Sequence, residues 1–259
     1  MDNRAFDSKR IAEGYARRPW LHREVIERIR SDCRAVDNFK NGLDVGCGAG
    51  LSSKALKLMC DKVTGTDISP EMIKVCQQLY GEEGYSFYVA KAEETRIPIE
   101  RYDVLTAAGV INWVDREKFL ENVNAVMSPG GLLIVYDFGI TDQCMENNNK
   151  TYTDWYQKQY LSKFPKPPRK EEVWKQEDLT DAFCLEKQVT YEMPYRFTME
   201  AFIDFMMIQS NVNARMESKE VSEKAVKDWM TDTLSDVFRG ETRTMFFAGY
   251  SWFIRKKMV

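Results

Sequence analysis

The stretch Leu43-Asp44-Val45-Gly46-Cys47-Gly48-Ala49-Gly50 decides how this chain folds. An apolar run enters an acidic residue, and a turn with glycines at alternate positions follows at once. Alternate glycines let a backbone bend hard after a buried strand and lie against a ligand with no Cβ in the way. Leu51 to Leu58 then reads as a helix. The turn therefore sits at a helix N-terminus, where unpaired N–H groups meet polar ligand atoms. That is the layout of a nucleotide-binding loop.

Small departures narrow the choice of nucleotide. Leu51 stands where the dinucleotide fingerprint G-x-G-x-x-G has its third glycine, and Ser52-Ser53-Lys54 does not close the turn as a P-loop does. The form here is D-x-G-x-G-x-G, with Asp44 two residues before the first glycine.

Working outward, the composition is that of an ordinary globular protein: 259 residues, 44% apolar and 30% charged. A net charge of −3 gives no electrostatic reason to expect DNA or an anionic membrane as a partner. The start, Met1-Asp2-Asn3-Arg4, lacks the apolar core of a signal peptide, and runs such as Leu132-Leu133-Ile134-Val135 are far short of a membrane span. The six cysteines (33, 47, 60, 76, 144, 184) show no C-x-x-C and no partnering histidines. We expect no metal, free buried thiols, and a cytoplasmic location.

The remaining elements follow from periodicity and punctuation. Ile11 to Tyr15 and Leu21, Val25, Ile26 and Ile29 have helical spacing, broken at Arg18-Pro19. Val63 to Asp67 is a short strand, and Ser69-Pro70 opens a helix as N-cap and first helical residue. Further strands are expected over Tyr85 to Ala90, Tyr102 to Ala107, and Leu132 to Tyr136 ending at Asp137, with a helix over Arg116 to Met127 stopping at Ser128-Pro129-Gly130-Gly131. Strands alternating with helices imply a parallel sheet covered on both faces, with ligands beyond the carboxyl ends of the strands. The Gly46–Gly50 turn, Asp67, Ala92-Glu93 and Ala108–Trp113 all fall at such ends.

Past residue 140 the pattern changes. Asn147-Asn148-Asn149 reads as a loop, Tyr152, Trp155, Tyr156 and Tyr160 as an aromatic helical stripe, and Phe164-Pro165-Lys166-Pro167-Pro168-Arg169 as non-helical. Leu185 to Tyr191 and Met245 to Ile254 read as strands completing a seven-stranded sheet with an antiparallel edge. Met199 to Ile208 and Val221 to Val237 read as helices.

Asp67, about twenty residues past the turn, is suited to accept hydrogen bonds from both hydroxyls of a ribose; offsetting the dipole of the next helix is the alternative. Ile68 and Met72 would flank an adenine ring or belong to the core.

Leu43–Gly50, Thr66–Pro70, Ala92-Glu93 followed by Ile97-Pro98, Tyr102-Asp103-Val104 and Pro129-Gly130-Gly131 resemble, in order and spacing, successive motifs of class I S-adenosylmethionine-dependent methyltransferases. The similarity is to the small-molecule type that includes ubiquinone/menaquinone and trans-aconitate methyltransferases, and it covers roughly residues 10 to 140. It implies an α/β fold, with a doubly wound, mostly parallel seven-stranded sheet (the Rossmann-like methyltransferase fold) and helical lid additions. The whole chain, 1–259, would be one methyltransferase domain. Within it, 1–40 would form an N-terminal helical cap, 41–140 the cofactor-binding core, 141–182 a helical insertion or lid, and 183–259 the strands and helices completing the sheet and acceptor pocket.

The resemblance also implies site residues. Asp44, Gly46, Cys47 and Gly48 would contact the methionine moiety of the cofactor, Asp67 its ribose and Ala92-Glu93 its adenine edge, with Ala108 a further cofactor-binding residue and Asn112 and Trp113 near the transferable methyl. The group often has Asp before the Ala-Glu pair; this chain has Lys91, which cannot accept a hydrogen bond from the adenine amino group, so Glu93 or a backbone carbonyl would. From the N-terminal segment, Arg18 would bind the cofactor carboxylate and Tyr15 would cover the sulfonium. His22, the only histidine, is a candidate general base beside Tyr15 and Trp113 as catalytic candidates. Trp113, Tyr152, Tyr156, Tyr195 and Met207 would line the acceptor pocket, and Tyr160, Tyr191, Arg196, Met206 and Asn211 belong to the same variable region.

The expected activity is methyl transfer from S-adenosylmethionine to a small-molecule acceptor (EC 2.1.1.-), leaving S-adenosylhomocysteine. No DNA, metal or membrane span is expected, and the chain would act as a monomer or homodimer. A non-catalytic cofactor-binding regulatory or assembly protein, a tRNA-modifying methyltransferase and a nicotinamide dehydrogenase are the alternatives. An adenine DNA methyltransferase is disfavoured, since Ala108-Gly109-Val110-Ile111 stands where N/D-P-P-Y/F would be.

Overall fold

Seven strands form one sheet in the computed structural model, which describes residues 8–32, 38–94, 101–146, 149–166 and 173–258. They are β1 (Phe39–Val45), β2 (Cys60–Asp67), β3 (Tyr85–Val89), β4 (Tyr102–Ala108), β5 (Met127–Cys144), β6 (Phe183–Phe197) and β7 (Arg243–Lys256), ordered β3-β2-β1-β4-β5-β7-β6. Cys33, Ile97-Pro98, Asn147-Asn148 and Pro167-Pro168-Arg169 lie outside the described residues.

Alternation along the interior strands divides the core into two layers. In β5, Leu132, Ile134 and Tyr136 face one apolar cluster, and Leu133 and Val135 face the other. Successive side chains of a strand point to opposite faces, so a strand buried on both sides reads as a continuous apolar run. Helices α1 (Lys9–Ala16), α2 (His22–Asp32), α3 (Leu51–Leu56), α4 (Pro70–Tyr80) and α5 (Arg116–Val126) accompany the first five strands. The start of α4 is as the sequence predicts: the Ser69 hydroxyl accepts from the Met72 N–H at 3.2 Å, and Pro70 takes the first helical position.

The turn after β1 is set by glycines and by a buried acid. Gly46 and Gly50 have φ of +67° and +91°, a region that disfavours side chains. A Cβ on Gly46 would collide with Val110, and one on Gly50 would come within 2.7 Å of the Tyr80 ring. Asp44 is fully buried, and its carboxylate accepts from Ser52 Oγ at 2.6 Å, Ser53 Oγ at 2.7 Å and Thr106 Oγ1 at 2.8 Å. Those bonds tie β1 to the first turn of α3 and to β4.

The sheet is mixed, which corrects the expectation of a mostly parallel one. β3, β2, β1, β4 and β5 pair in parallel, but β7 runs antiparallel between β5 and β6. The antiparallel ladders, Leu132–Cys144 on β7 and Phe183–Phe197 on β7, are longer than any parallel one. Pairing with the distant β7 also carries β5 past its expected end at Asp137 to Cys144. β6 runs through Pro194, which its place at the edge permits.

The late helices stack on one side. α6 (Asn149–Asp154) passes through a π-helical turn (Trp155–Tyr160) into α7 (Leu161–Lys163), which stops before Pro165. α8 (Met199–Met207), α9 (Ser210–Glu217), unexpected from the sequence, and α10 (Glu223–Phe238) follow. Among the described residues no helix is long and apolar enough to cross a membrane.

Thr106→Val keeps the shape of that side chain and removes one donor from a buried carboxylate. We expect a loss of about 1.5–3 kcal/mol in urea unfolding; unchanged stability would mean that the Asp44 cluster does not hold the turn.

Candidate functional site

A cavity of about 790 Å³ opens over the carboxyl ends of β1, β2, β4 and β5, within the about 300–1,000 Å³ usual for small-molecule sites. Its floor is the Gly46-Cys47-Gly48 turn. The turn is held down by Cys47 N–H donating to Thr66 O at 2.9 Å and Gly48 N–H donating to Asp67 Oδ2 at 2.9 Å. Asp67 Oδ1 accepts from Ser69 N–H at 2.9 Å, so the carboxylate is fixed at the cavity wall between the turn and α4. Ile68, 43% exposed, and Met72 stand beside it on the same wall.

Lys91, Ala92 and Glu93 line the next side. Glu93 Oε1 accepts from Asp115 N–H at 3.0 Å, Ala92 O from Asn122 Nδ2 at 2.9 Å, and Lys91 pairs with Glu94 at 3.4 Å. Ala108, Gly109, Val110 and Trp113 close the wall after β4.

The N-terminal segment arches over the turn. Trp20 Nε1 donates to Leu51 O at 3.0 Å, which anchors the segment to the start of α3. The Arg18 guanidinium lies 3.7 Å from the Tyr15 ring centroid and donates to Ile208 O at 3.3 Å. Its Nε is buried with no acceptor; among the described residues only Thr66 Oγ1 shares that condition. A cation short of an acceptor beside a cavity suits an anionic ligand group.

Later elements build the opposite half: Tyr136 to Ile140 of β5, Tyr156 and Tyr160 of the π-helical turn, Phe205, Asn211, and Phe247, Ala248 and Tyr250 of β7. Asn211 ties this half together, accepting from Tyr160 O–H at 3.0 Å and donating to Phe164 O at 2.6 Å.

Of the residues the sequence nominates, Tyr15, Arg18, His22, Gly46, Cys47, Gly48, Asp67, Ile68, Met72, Ala92, Glu93, Ala108, Trp113 and Tyr156 line this cavity, and five do not. Asp44 points behind the turn into its hydroxyl cluster. Asn112 sits in the 3₁₀ turn Ile111–Trp113, off the wall. Tyr152 is fully buried, its hydroxyl donating to Thr141 O at 2.8 Å and its ring packed on Trp155 and Phe202. Met207 belongs to the same core, and Tyr195 lies partly exposed on the edge strand β6. Phe138, Phe205, Phe247 and Tyr250 were missed by the sequence reading. The alternation in Asp137-Phe138-Gly139-Ile140 was the signal that β5 continues, but nothing local says that β7 pairs there.

A family profile described as a methyltransferase domain matches residues 43–135. The ubiquinone/menaquinone biosynthesis C-methyltransferase UbiE of Psychromonas ingrahamii is 32% identical over 126 residues, covering 46% of this chain and 50% of that protein. The ubiquinone biosynthesis O-methyltransferase of Azorhizobium caulinodans is 36% identical over 116 residues, covering 43% and 46%. The chain thus spans half or less of the length of these relatives. A solved protein from Anaeromyxobacter dehalogenans assigned as a type II methyltransferase superposes with a TM-score of 0.64 at 22% identity, covering 85% of this chain and 89% of that one. YcgJ of Bacillus subtilis gives 0.53 at 15% identity, covering 90% and 99%.

The chain carries a class I methyltransferase domain. The matched stretch of this domain ends at Val135, so it contains the turn, Asp67 and Glu93 but none of the wall built by Tyr136–Ile140, α8 and β7. The profile match thus spans the turn side of the cavity, and the rest of the wall comes from residues before and after it.

Burial shifts several groups at and behind this cavity. Burial, reinforced by the nearby Arg18 charge, pulls His22 from 6.5 down to about 3. Burial pushes Asp44 up from 3.8 to about 6 against the opposing pull of its three hydroxyl donors. Burial also raises the Cys47 thiol, which disfavours its thiolate. The linkage signs of the first two oppose each other. Folded His22 binds fewer protons than the unfolded chain, so its contribution to stability is full above pH 6.5 and lost as pH falls toward 3. Folded Asp44 binds more, so its contribution is full below pH 3.8 and lost as pH rises through about 6. His22→Gln removes one arm: the stability at pH 7 minus that at pH 4.5 should fall by about 2–3 kcal/mol relative to wild type. Urea unfolding at the two pH values reads this directly, and an unchanged difference would show that His22 is not buried neutral.

Proposed function

We propose that this chain transfers the methyl group of S-adenosylmethionine to a small-molecule acceptor and releases S-adenosylhomocysteine. The observation that carries this reading is the convergence of the Gly46–Gly48 turn, Asp67, Glu93 and the acceptor-less Arg18 Nε on one side of a single cavity. A dinucleotide would need a pyrophosphate cradle, and the third glycine of that cradle is Leu51.

In this reading Asp67 accepts from the ribose hydroxyls, Ile68 and Met72 flank the adenine, and Glu93 or a neighbouring carbonyl takes the adenine amino group. Gly46, Cys47 and Gly48 face the methionine part, Arg18 holds its carboxylate and Tyr15 covers the sulfur. The observations favouring these roles are the cavity position of each residue and the firm anchoring of Asp67 by two backbone N–H groups. Residues 41–140 would form the cofactor-binding core. The N-terminal cap (1–40), the insertion (141–182) and the C-terminal part (183–259) would cover the cavity and supply the acceptor wall. The five described cysteines are free thiols, which favours a reducing, cytoplasmic compartment.

The bound cofactor supplies a methyl group on a sulfonium, so the acceptor's lone pair forms the new bond to carbon while the S–CH₃ pair stays on sulfur. What remains for the protein is alignment and exclusion of water. Well-oriented neighbours reach effective molarities on the order of 10⁵–10⁸ M. Trp113, Tyr136, Tyr156, Phe138 and Phe205 would orient an aromatic or otherwise apolar acceptor against the methyl-bearing face.

Calorimetry with S-adenosylhomocysteine tests the reading. Wild type should bind it and ignore NAD. Asp67→Ala, checked for an intact fold by its melting curve, should bind about 10–100-fold more weakly. Equal affinity in the variant, or preference for NAD, would overturn the cofactor assignment. Absence of S-adenosylhomocysteine production across amine, thiol, carboxylate and hydroxyl acceptors would favour a non-catalytic binder.

A further inference from the structure

The only histidine in the chain is wedged into the cavity wall with its ring orientation fixed from several directions. Its Nδ1 lies 2.9 Å from the Tyr136 hydroxyl. The rings of Phe138 and Tyr136 meet it edge-on at centroid distances of 4.9 and 5.7 Å. Tyr136 is 1% exposed, and its hydroxyl has no other partner among the described residues.

That hydroxyl decides the imidazole's protons. If Nδ1 carried a proton and donated it to the phenolic oxygen, the buried Tyr136 O–H would have no acceptor, an arrangement folded proteins avoid. The Tyr136 O–H therefore donates to Nδ1, and the ring's single proton resides on Nε2. Among the described residues Nε2 has no partner, yet it is not among the buried unpartnered atoms, so it is open to the cavity that His22 lines.

We propose that His22 serves as a tautomer-locked hydrogen-bond donor, its Nε2–H holding an oxygen of the methyl acceptor, with Tyr136 as the positioning residue that sets the lock. This replaces the general-base role that the sequence suggests for His22. A base needs a lone pair facing the substrate, and here the lone pair is turned away, onto Tyr136. The ring's depressed basicity agrees with this, since burial and the Arg18 charge both keep it neutral.

The surroundings define the chemical class of the oxygen. Lys166 lines the same cavity, with its ammonium 5.7 Å from the Tyr156 ring centroid. Aromatic faces from Tyr156, Phe205 and Phe247 complete that side. An N–H donor in a cavity that also holds a lysine ammonium and aromatic rings fits a carboxylate or carbonyl oxygen on a flat, largely apolar molecule and disfavours an ammonium. Such an acceptor needs no proton removed by His22: its reacting atom is already nucleophilic when it arrives.

This assignment of the ligand rests on the methyl-transfer reading, and the assignment of the proton does not. One histidine gives one imidazole spin system, so ¹⁵N-histidine labelling reads both without ambiguity. In the free protein we expect a protonated Nε2 and an unprotonated Nδ1, unchanged from pH 8 to pH 5. Tyr136→Phe should let the ring sample both tautomers, a change that loss of packing alone would not produce. A protein saturated with S-adenosylhomocysteine should keep the Nε2–H signal near its free position. Adding benzoate to that complex should move the signal downfield, and benzylamine should not. Benzoate should bind about tenfold more weakly to His22→Phe, and His22→Gln, which retains an N–H donor, should recover most of that loss.

A proton on Nδ1, or titration of the ring near neutral pH, would overturn the lock even if the Tyr136 variant failed to fold. Saturation of Nε2–H by S-adenosylhomocysteine alone, or no response to benzoate, would overturn the assignment of the acceptor oxygen. Failure to bind S-adenosylhomocysteine with the Nε2–H tautomer intact would instead count against the methyl-transfer reading.

Discussion

Asp44 is a fully buried carboxylate, and three hydroxyls from two other elements supply its hydrogen bonds. A buried charge left unpaired is costly, so β1, α3 and β4 can meet only where Ser52, Ser53 and Thr106 all reach it. The Gly46–Gly50 turn then leaves the sheet along one course, with its N–H groups toward Thr66 O and Asp67. Asp67 in turn fixes the start of α4 through Ser69. The turn side of the cavity is thus a chain of short polar contacts that begins inside the core and ends at the surface.

That chain was largely legible in the sequence because its chemistry is local. Glycines at alternate positions, an acid ending a strand and a Ser-Pro pair opening a helix each have a physical meaning within a few residues. The direction of Asp44 was not legible. Its neighbours Leu43 and Val45 face one apolar layer, so alternation turns Asp44 to the other side of the sheet, off the cavity wall. The paired serines at 52 and 53 were the sign that the acid is held by hydroxyls, and they have no weight until the strand is placed against α3.

The other half of the cavity is written in long-range pairing. β7 inserts between β5 and β6, and this insertion extends β5 beyond Asp137 and brings Phe138, Phe247 and Tyr250 to the wall. Aromatic residues at helical spacing could not say which of them would face the cavity. Tyr156 and Tyr160 do, whereas Tyr152 turns inward onto Phe202. Tyr195 stays on the edge strand, and Met207 fills the core between the late helices and the sheet. The wall opposite the turn is therefore built largely from the part of the chain beyond the profile match, and His22 joins it from the far end of the sequence.

The most direct measurement is a crystal structure grown with S-adenosylhomocysteine. The account predicts ribose hydroxyls on the Asp67 carboxylate, the homocysteine carboxylate at Arg18, and an unfilled aromatic compartment beside the sulfur bounded by Tyr156, Phe205 and His22. Density for the nucleoside anywhere else, or a homocysteine tail filling the aromatic compartment, would contradict it.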